Sequence, residues 1–221
     1  MKWTIPNILT VFRTLAAPAV LIAFLILKRP HADMAALALF ITASVTDYFD
    51  GYLARKWKQT SAFGTMLDPI ADKAMVIIAI ATLVGLFGLN WLIALPASVI
   101  LLREVFVSGL REFLGENADK IKVTQLAKWK TAMQMTAIAI LLSYGLFEHY
   151  FGMSILGMNP EIVGAILSGQ EEDHVGVVWK HTAATWSFYG GIGLFWLAAV
   201  LTLVSGVDYL RKAMPFFKEA L

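Results

Sequence analysis

The sequence predicts an all-α fold: a polytopic membrane protein that forms a bundle of six transmembrane helices with an N-terminal interfacial segment, in a single domain over residues 1–221. Composition is the first reason, since 58% of the residues are hydrophobic and only 15% are charged, whereas soluble domains contain about 25% charged residues. The mean hydropathy is +0.69. The second reason is that several apolar runs reach the roughly 20 residues that a helix needs to cross a bilayer.

Polar or helix-breaking residues separate the predicted spans. The spans cover residues 8–27, 34–55, 68–89, 91–113, 128–150 and 187–210. Pro30 ends the first span because proline lacks the backbone N–H that would continue a helix. The short connection at Asn90 predicts that the third and fourth spans form an antiparallel hairpin. Residues 151–186 are predicted to form a loop that contains a short interfacial helix at 160–168.

Lysine and arginine gather at one set of helix ends. These ends hold Lys2, Arg55, Lys56, Lys58, Lys120, Lys122, Lys128, Lys130, Arg211, Lys212 and Lys218, while the opposite ends hold Lys28, Arg29 and Lys180. Because cytoplasmic loops carry the excess of Lys and Arg, the bias predicts that both termini are cytoplasmic, which agrees with an even number of spans. The net charge of +2 gives no reason to propose nucleic acid as a partner. The absence of cysteine excludes a disulfide framework and a catalytic thiol.

Four aspartates lie close together in this apolar chain: Asp47 and Asp50 in the second predicted span, Asp68 and Asp72 at the start of the third. A charged side chain at membrane depth costs ~2.5–3.5 kcal/mol on insertion scales, so four carboxylates need a compensating partner. Hard divalent cations, which take oxygen ligands, are such a partner. The spacings of three and four residues place each pair on one helix face. If the two spans are antiparallel neighbours, all four carboxylates meet and predict a metal site.

Other interpretations of the aspartates stay open on the residues alone. A single aspartate near a helix end is often a cap, and Asp68 before Pro69 has the form of an N-cap with proline at the first helical position. Membrane carboxylates also mark proton or ion pathways. A membrane prenyltransferase would likewise use aspartate-rich helices, metals and a diphosphate substrate. Gly51, which lets a substrate approach the backbone, and Arg55, whose forked cation suits phosphate oxygens, favour a phosphate-bearing substrate over a transported ion.

One run of the sequence resembles the signature of the CDP-alcohol phosphotransferase family, and no position of it departs from that pattern. The run is Asp47-x2-Asp50-Gly51-x2-Ala54-Arg55-x8-Gly64-x3-Asp68-x3-Asp72. The resemblance implies that the four aspartates ligate two Mg²⁺ or Mn²⁺ ions and that Asp72 is the general base. It also implies a reaction in which a hydroxyl attacks CDP-diacylglycerol and CMP leaves.

The resemblance extends to residues that would bind the CDP-lipid. Gly51, Arg55 and Gly64 match positions that hold the CDP moiety, and Ser61 falls where a small hydroxyl residue contacts it. Asn7 belongs to an N-terminal segment, residues 5–13, that is also similar to the family and places Asn7, Thr10 and Arg13 near one side of an early helix. In the family this asparagine helps to bind the CDP-lipid head. The alternative is that Asn7 and Thr10 only cap the helix.

A second group of cations flanks the aspartates in the sequence. It consists of Arg103, Arg111, Lys128 and Lys130. These side chains predict a pocket for an anionic acceptor, and the family resemblance favours glycerol 3-phosphate, although inositol phosphate would also require cations. The alternatives are a snorkelling or interhelical paired arginine at Arg103 and simple cytoplasmic anchoring by the lysines. Glu104 is adjacent to Arg103, not three or four residues away, so we expect no same-face ion pair between them.

The resemblance also implies where the protein works and how it assembles. We expect the inner (cytoplasmic) membrane of a bacterium, with the active site toward the cytoplasm and membrane lipid around the helices. Members of the family are commonly homodimers. Gly190, Gly191 and Gly193 in the last predicted span are typical of helix packing and could equally line a dimer contact.

Overall fold

The computed structural model describes residues 4–57, 61–120 and 125–219, and within these ranges the side chains of residues 48–55, 57, 116, 119–120, 125–128 and 218–219 are left undescribed. Over the described ranges it contains seven α-helices, a short 3₁₀ helix at Gly115–Lys120 and no β-strand. The α-helices are α1 (Ile5–Ile26), α2 (His31–Trp57), α3 (Ala62–Phe87), α4 (Trp91–Leu114), α5 (Gln125–Ser154), α6 (Pro160–Leu167) and α7 (Val177–Glu219). The all-α prediction is confirmed, and α6 is the short helix predicted in the long connection.

The start of α3 differs from the prediction, and the reason is its cap. The helix begins at Ala62, not at 68, because the N–H of Gly64 donates a hydrogen bond of 3.0 Å to the Ser61 hydroxyl. Ser61 is therefore the N-cap. Asp68 and Pro69 lie inside the helix, so the interpretation of Asp68 as an N-cap is wrong.

The last helix is much longer than the predicted span 187–210. α7 runs over 43 residues from Val177 to Glu219, which is about 65 Å at 1.5 Å per residue. Its first turn is capped by Asp173, whose carboxylate accepts hydrogen bonds from the N–H groups of Val177 at 2.7 Å and Val178 at 2.9 Å. Asp173 follows two glutamates in an acidic run that has the composition of a loop, so the residues before 187 were wrongly predicted to be non-helical.

The helices are arranged so that α1 packs along both α2 and α3, while the described residues of α2 and α3 make few contacts with each other. α7 packs along α5 and also against α4. Small side chains line these contacts, among them Ala16, Ala17, Ala36, Ala43 and Ala137, all of them buried. Gly191 serves the same purpose, because a Cβ at that position would stand 2.8 Å from Leu141 of α5. Gly191 is thus a packing residue within the chain.

The outside of the bundle is apolar. Large hydrophobic side chains that face outward include Leu15, Leu25, Leu102, Val105, Trp186 and Tyr189. Over the described residues, four helices, α1, α3, α4 and α7, are long and apolar enough to cross a membrane. An apolar exterior on long apolar helices is the pattern of a protein whose solvent is lipid, so the membrane character predicted from composition is confirmed.

Candidate active site

The polar face of α1 forms one wall of the site. The helix begins after Thr4, whose hydroxyl accepts from the N–H of Asn7, with Pro6 in its first turn. Asn7, Thr10 and Arg13 follow one another at three-residue spacing, so they share one face, and all three are buried. This face is directed at α2 and α3, because those are the two helices against which α1 packs.

Arg13 brings three of the four predicted metal ligands together. Its Nη1 donates to Asp47 of α2, and its Nη2 stands 3.2 Å from Asp72 Oδ1 and 3.7 Å from Asp68 Oδ1 in α3. The guanidinium is only 2% exposed, whereas the three carboxylates are about half exposed. A buried cation thus holds three accessible carboxylates. The side chain of the fourth aspartate, Asp50, lies outside the described residues.

The helix packing that brings the aspartates together differs from the packing considered from the sequence alone. The sequence predicts that the four carboxylates meet if the second and third spans are antiparallel neighbours, but over the described residues α2 and α3 meet mainly through α1. Thr10 reinforces this arrangement, because its hydroxyl donates to Asp68 Oδ1 at 2.7 Å. The sequence grouped Thr10 and Arg13 on one side of a helix, but the spacing did not show that this side faces the aspartates. The available signal was a charged residue, Arg13, within an apolar span, which needs a charged or polar partner.

The donor set suits a divalent cation. Among the described residues, no group of three or more His, Asp or Glu side chains is arranged as a ready metal site, since the carboxylates of Asp47, Asp68 and Asp72 are directed at Arg13. Carboxylate oxygens are nevertheless the ligands that Mg²⁺ and Mn²⁺ prefer. Three carboxyl groups also outnumber the single guanidinium. The chemistry and the charge of these side chains therefore fit a divalent ion.

Three of the residues predicted to bind the CDP-lipid form one contact group where α1 meets the start of α3. The Ser61 hydroxyl donates to Asn7 Oδ1 at 2.8 Å and accepts from the N–H of Gly64 at 3.0 Å. A Cβ at Gly64 would stand 2.8 Å from Asn7 Oδ1, so glycine is required for this close approach. Gly51 and Arg55, the other two residues of this prediction, lie outside the residues whose side chains are described.

A cavity of about 460 Å³ opens beside the aspartates. Asp47 and Asp72 line it, and so do three of the four predicted acceptor-binding cations. These cations are Arg103, Arg111 and Lys130. The side chain of Lys128, the fourth, is not described. The structure therefore brings the two predicted groups, carboxylates and cations, to one cavity.

Glu104 links two of the cations in this cavity. Lys130 of α5 donates to Glu104 Oε1, and Arg103 Nη1 lies 3.2 Å from the same oxygen. The expectation that Glu104 is unavailable to Arg103 is wrong, because both long side chains turn toward the cavity although they leave the helix at neighbouring positions. Arg103 and Lys130 carry two positive charges against the one negative charge of Glu104, so this part of the cavity is positive. Arg111, which also lines the cavity, adds to the positive charge.

The sequence missed the contribution of α7 to the cavity. Ser205, Asp208 and Tyr209 line it. The ring of Tyr209 lies 5.7 Å from the Arg111 guanidinium carbon, in cation–π contact. A Cβ at Gly206 would stand 3.1 Å from Arg103 Cγ, so this glycine makes room for the arginine. The only sequence signal was a cluster of small and polar residues, SGVDY at 205–209, near the end of the last span.

Comparison with known proteins places this geometry in context. A family model described as CDP-alcohol phosphatidyltransferase matches residues 3–160. A protein of Cereibacter sphaeroides named CDP-diacylglycerol–glycerol-3-phosphate 3-phosphatidyltransferase is 55% identical over 220 residues, which are 99% of this chain and 99% of that protein. Proteins of the same name from Escherichia coli and Salmonella choleraesuis are 35% and 34% identical over 215 residues, 96% of each chain.

Proposed function

The chain belongs to the CDP-alcohol phosphatidyltransferase family, and from this membership we propose that it transfers the phosphatidyl group of CDP-diacylglycerol to glycerol 3-phosphate, giving phosphatidylglycerophosphate and CMP in phospholipid biosynthesis. It is an enzyme of that family. The observation that carries the choice of acceptor is the shared cavity, which is lined by Asp47, Asp72 and three cations that suit a phosphate. The names of three relatives state the same pair of substrates.

Asp72 is the proposed general base. Its carboxylate takes the proton of the acceptor hydroxyl, whose oxygen then forms a bond to the phosphorus that bears diacylglycerol. The bond from that phosphorus to the bridging oxygen of the diphosphate breaks, and CMP leaves. Arg13 Nη2, at 3.2 Å from Asp72 Oδ1, orients this carboxylate. The acyl chains stay in the bilayer, beside the apolar exterior of the helices.

The four aspartates are the proposed ligands of two Mg²⁺ or Mn²⁺ ions. Asp47, Asp50, Asp68 and Asp72 would hold them. Such ions, when bound, supply positive charge to the diphosphate oxygens and stabilise the charge that develops there in the transition state. The accessible carboxylates and their excess over the Arg13 charge support this assignment.

The two substrates are proposed to occupy neighbouring parts of the site. The CDP-lipid head is held by Asn7, Gly51, Arg55, Ser61 and Gly64, an assignment that the Asn7–Ser61–Gly64 contact group supports. The acceptor phosphate is held by Arg103, Arg111, Lys128 and Lys130. Glu104 keeps two of these cations, Arg103 and Lys130, at one place in the cavity.

The proposed setting is the inner membrane of a bacterium. All six predicted spans cross it, α2 and α5 included, in one domain over residues 1–221 whose N-terminal segment lies at the membrane interface. Both termini and the active site face the cytoplasm, where the Lys and Arg residues gather, and two copies of the chain form a homodimer.

The test is CMP release by the purified protein in micelles of detergent and CDP-diacylglycerol with Mg²⁺ or Mn²⁺. We expect release with glycerol 3-phosphate but not with serine or inositol 1-phosphate, and we expect a chelator to abolish it. Asp72→Asn should fold normally and lose at least ~100-fold in kcat, since general-base catalysis contributes about 10²–10⁴-fold. Near-normal turnover by this variant would contradict the general-base role, and activity with another alcohol would contradict the acceptor.

A further inference from the structure

The cavity is lined by buried polar atoms that the ion pairs and hydrogen bonds described above leave unpaired. The side-chain oxygen Oε1 of Gln134, the hydroxyl of Tyr209 and Nε of Arg103 have no hydrogen-bond partner among the described residues. Gln134 is 2% exposed and Tyr209 is 8% exposed, and all three residues line the cavity. Folded proteins pair nearly all of their buried polar groups. Unpaired groups concentrated around one cavity therefore point to a ligand that pairs with them.

Gln134 and Tyr209 each lie next to a cation proposed to bind the acceptor phosphate. Gln134 is four residues after Lys130 on α5, so the two side chains are stacked on one face of the helix. Tyr209 lies under Arg111, with 5.7 Å between the ring centroid and the guanidinium carbon. A ligand whose anionic group is bound by these cations would therefore place its remaining atoms within reach of the amide and the phenol.

We propose that Gln134 and Tyr209 hydrogen-bond the hydroxyl of the acceptor that does not react, and that they make the enzyme select a polyol phosphate. The inference rests on the proposed function, in which the terminal hydroxyl of glycerol 3-phosphate attacks and its secondary hydroxyl does not. An amide and a phenol can each donate and accept, which matches an alcohol. A site built to hydrogen-bond a hydroxyl rejects an analogue that lacks it, because its buried polar groups then stay unpaired.

The test combines two side-chain changes with one change of substrate. Gln134→Met and Tyr209→Phe remove the polar atoms and keep the side-chain size. The acceptors are glycerol 3-phosphate and 3-hydroxypropyl phosphate, which keeps the phosphate and the terminal hydroxyl but lacks the secondary one. For each variant we expect kcat/KM for glycerol 3-phosphate to fall by about tenfold, the effect of one lost hydrogen bond. With 3-hydroxypropyl phosphate we expect no loss of kcat/KM, because this acceptor has no hydroxyl that the removed polar atoms could bind, and each variant leaves one buried polar group fewer unpaired beside it.

Thr202→Val is the matched control. Thr202 is also fully buried, and its hydroxyl also lacks a partner among the described residues, but it does not line the cavity. Its kcat/KM should be unchanged with both acceptors. Thermal stabilisation of each protein by glycerol 3-phosphate alone measures acceptor binding without turnover. That stabilisation should weaken in Gln134→Met and Tyr209→Phe and persist in Thr202→Val.

The outcomes separate this inference from the function on which it rests. Equal losses of kcat/KM with both acceptors would show a merely structural role for Gln134 and Tyr209 and overturn the inference, as would variants that match the wild type with glycerol 3-phosphate. In both cases an active wild type leaves the proposed function standing. A wild type that releases no CMP with either acceptor would overturn the proposed function and this inference together.

Discussion

Arg13 carries a buried positive charge that contacts carboxylates from two other helices. Removing one partner of a buried ion pair costs about 3–5 kcal/mol, because the remaining charge loses its compensation. The half-exposed carboxylates keep part of their hydration, so the lower end of this range applies. A divalent ion held by the same carboxylates would supply the missing charge.

We therefore predict that Arg13→Met lowers the Tm in the presence of a chelator by an amount that corresponds to about 3 kcal/mol. Magnesium should raise the Tm of the variant more than that of the wild type, because the ion replaces the lost guanidinium. Thermal unfolding in detergent, with and without the ion, measures both effects. Lys212→Met is the control, since its pair with Asp208 lies at the surface and is worth only about 0.3–0.5 kcal/mol. An identical response to magnesium in variant and wild type would refute the prediction.

Adding one carbon atom, the Cβ of alanine, at Gly64 tests whether Asn7, Ser61 and Gly64 bind the CDP-lipid. In Gly64→Ala the new Cβ would stand 2.8 Å from Asn7 Oδ1, so the Asn7 side chain must turn away and lose its bond to Ser61. We expect KM for CDP-diacylglycerol to rise about tenfold, the effect of one lost hydrogen bond. Gly85→Ala in the same helix is the matched control, because a Cβ there meets nothing within 4 Å. Its kinetics should stay normal. Unchanged kinetics in Gly64→Ala would remove these residues from the substrate site.

At the scale of the element, the start of α7 depends on one exposed carboxylate. The N–H groups of Val178 and Val177 donate to Asp173 and hold the pKa of its carboxyl below the usual range. Because the pKa is lowered in the folded chain, the contribution to stability is full above the unfolded-chain value of about 3.9. It is lost as the pH falls through the lower pKa of the folded state.

Asp173→Ala should therefore fray the first turn of α7 without unfolding the bundle. We expect faster amide hydrogen exchange at Val177 and Val178 at neutral pH, with the rest of α7 still protected. Asp173→Asn should restore part of the protection from exchange, because asparagine also caps helices. In this variant the protection should no longer decrease at acid pH, because the asparagine side chain does not titrate. Glu172→Ala, a change at an exposed neighbour, is the control. Equal exchange rates in Asp173→Ala and wild type would show that the cap contributes nothing.

Local signals decided which parts of the elements could be predicted. Apolar runs of about 20 residues placed α1, α2, α4 and α5 within a few residues of their observed bounds. The starts of α3 and α7 depended on the hydroxyl of Ser61 and the carboxylate of Asp173, and the sequence offered competing caps or a loop-like composition there. The contact of three aspartates with Arg13 and the position of Tyr209 in the cavity depend on packing between helices that are distant in the sequence. Residue spacing along one helix does not predict such packing.

At the scale of the whole molecule, the site lies at one end of a bundle whose exterior is apolar. Only α1, α3, α4 and α7 qualify as spans by length and apolar composition over the described residues. The proposed cytoplasmic N-terminus fixes the side of every later connection. If these four helices alone crossed the membrane, the connection after α3 would lie in the cytoplasm and the end of α4 would lie outside. If α2 and α5 also cross, the connection after α3 lies outside and the end of α4 lies in the cytoplasm. In the proposed reaction CMP leaves on the cytoplasmic side, and the aspartates can face that side only in the arrangement of six spans.

The chain contains no cysteine, so single cysteines can report the side of each connection without interference. We predict that Leu89→Cys, at a position that is 91% exposed, reacts with a membrane-impermeant maleimide added to intact cells. Glu112→Cys, near the end of α4, should react only after the cells are opened. Lys28→Cys is the control, because it faces outward in both arrangements and must react in intact cells. If Glu112→Cys reacts from outside and Leu89→Cys does not, α2 does not cross the membrane, and the four aspartates cannot share a cytoplasmic site with the cations of α4.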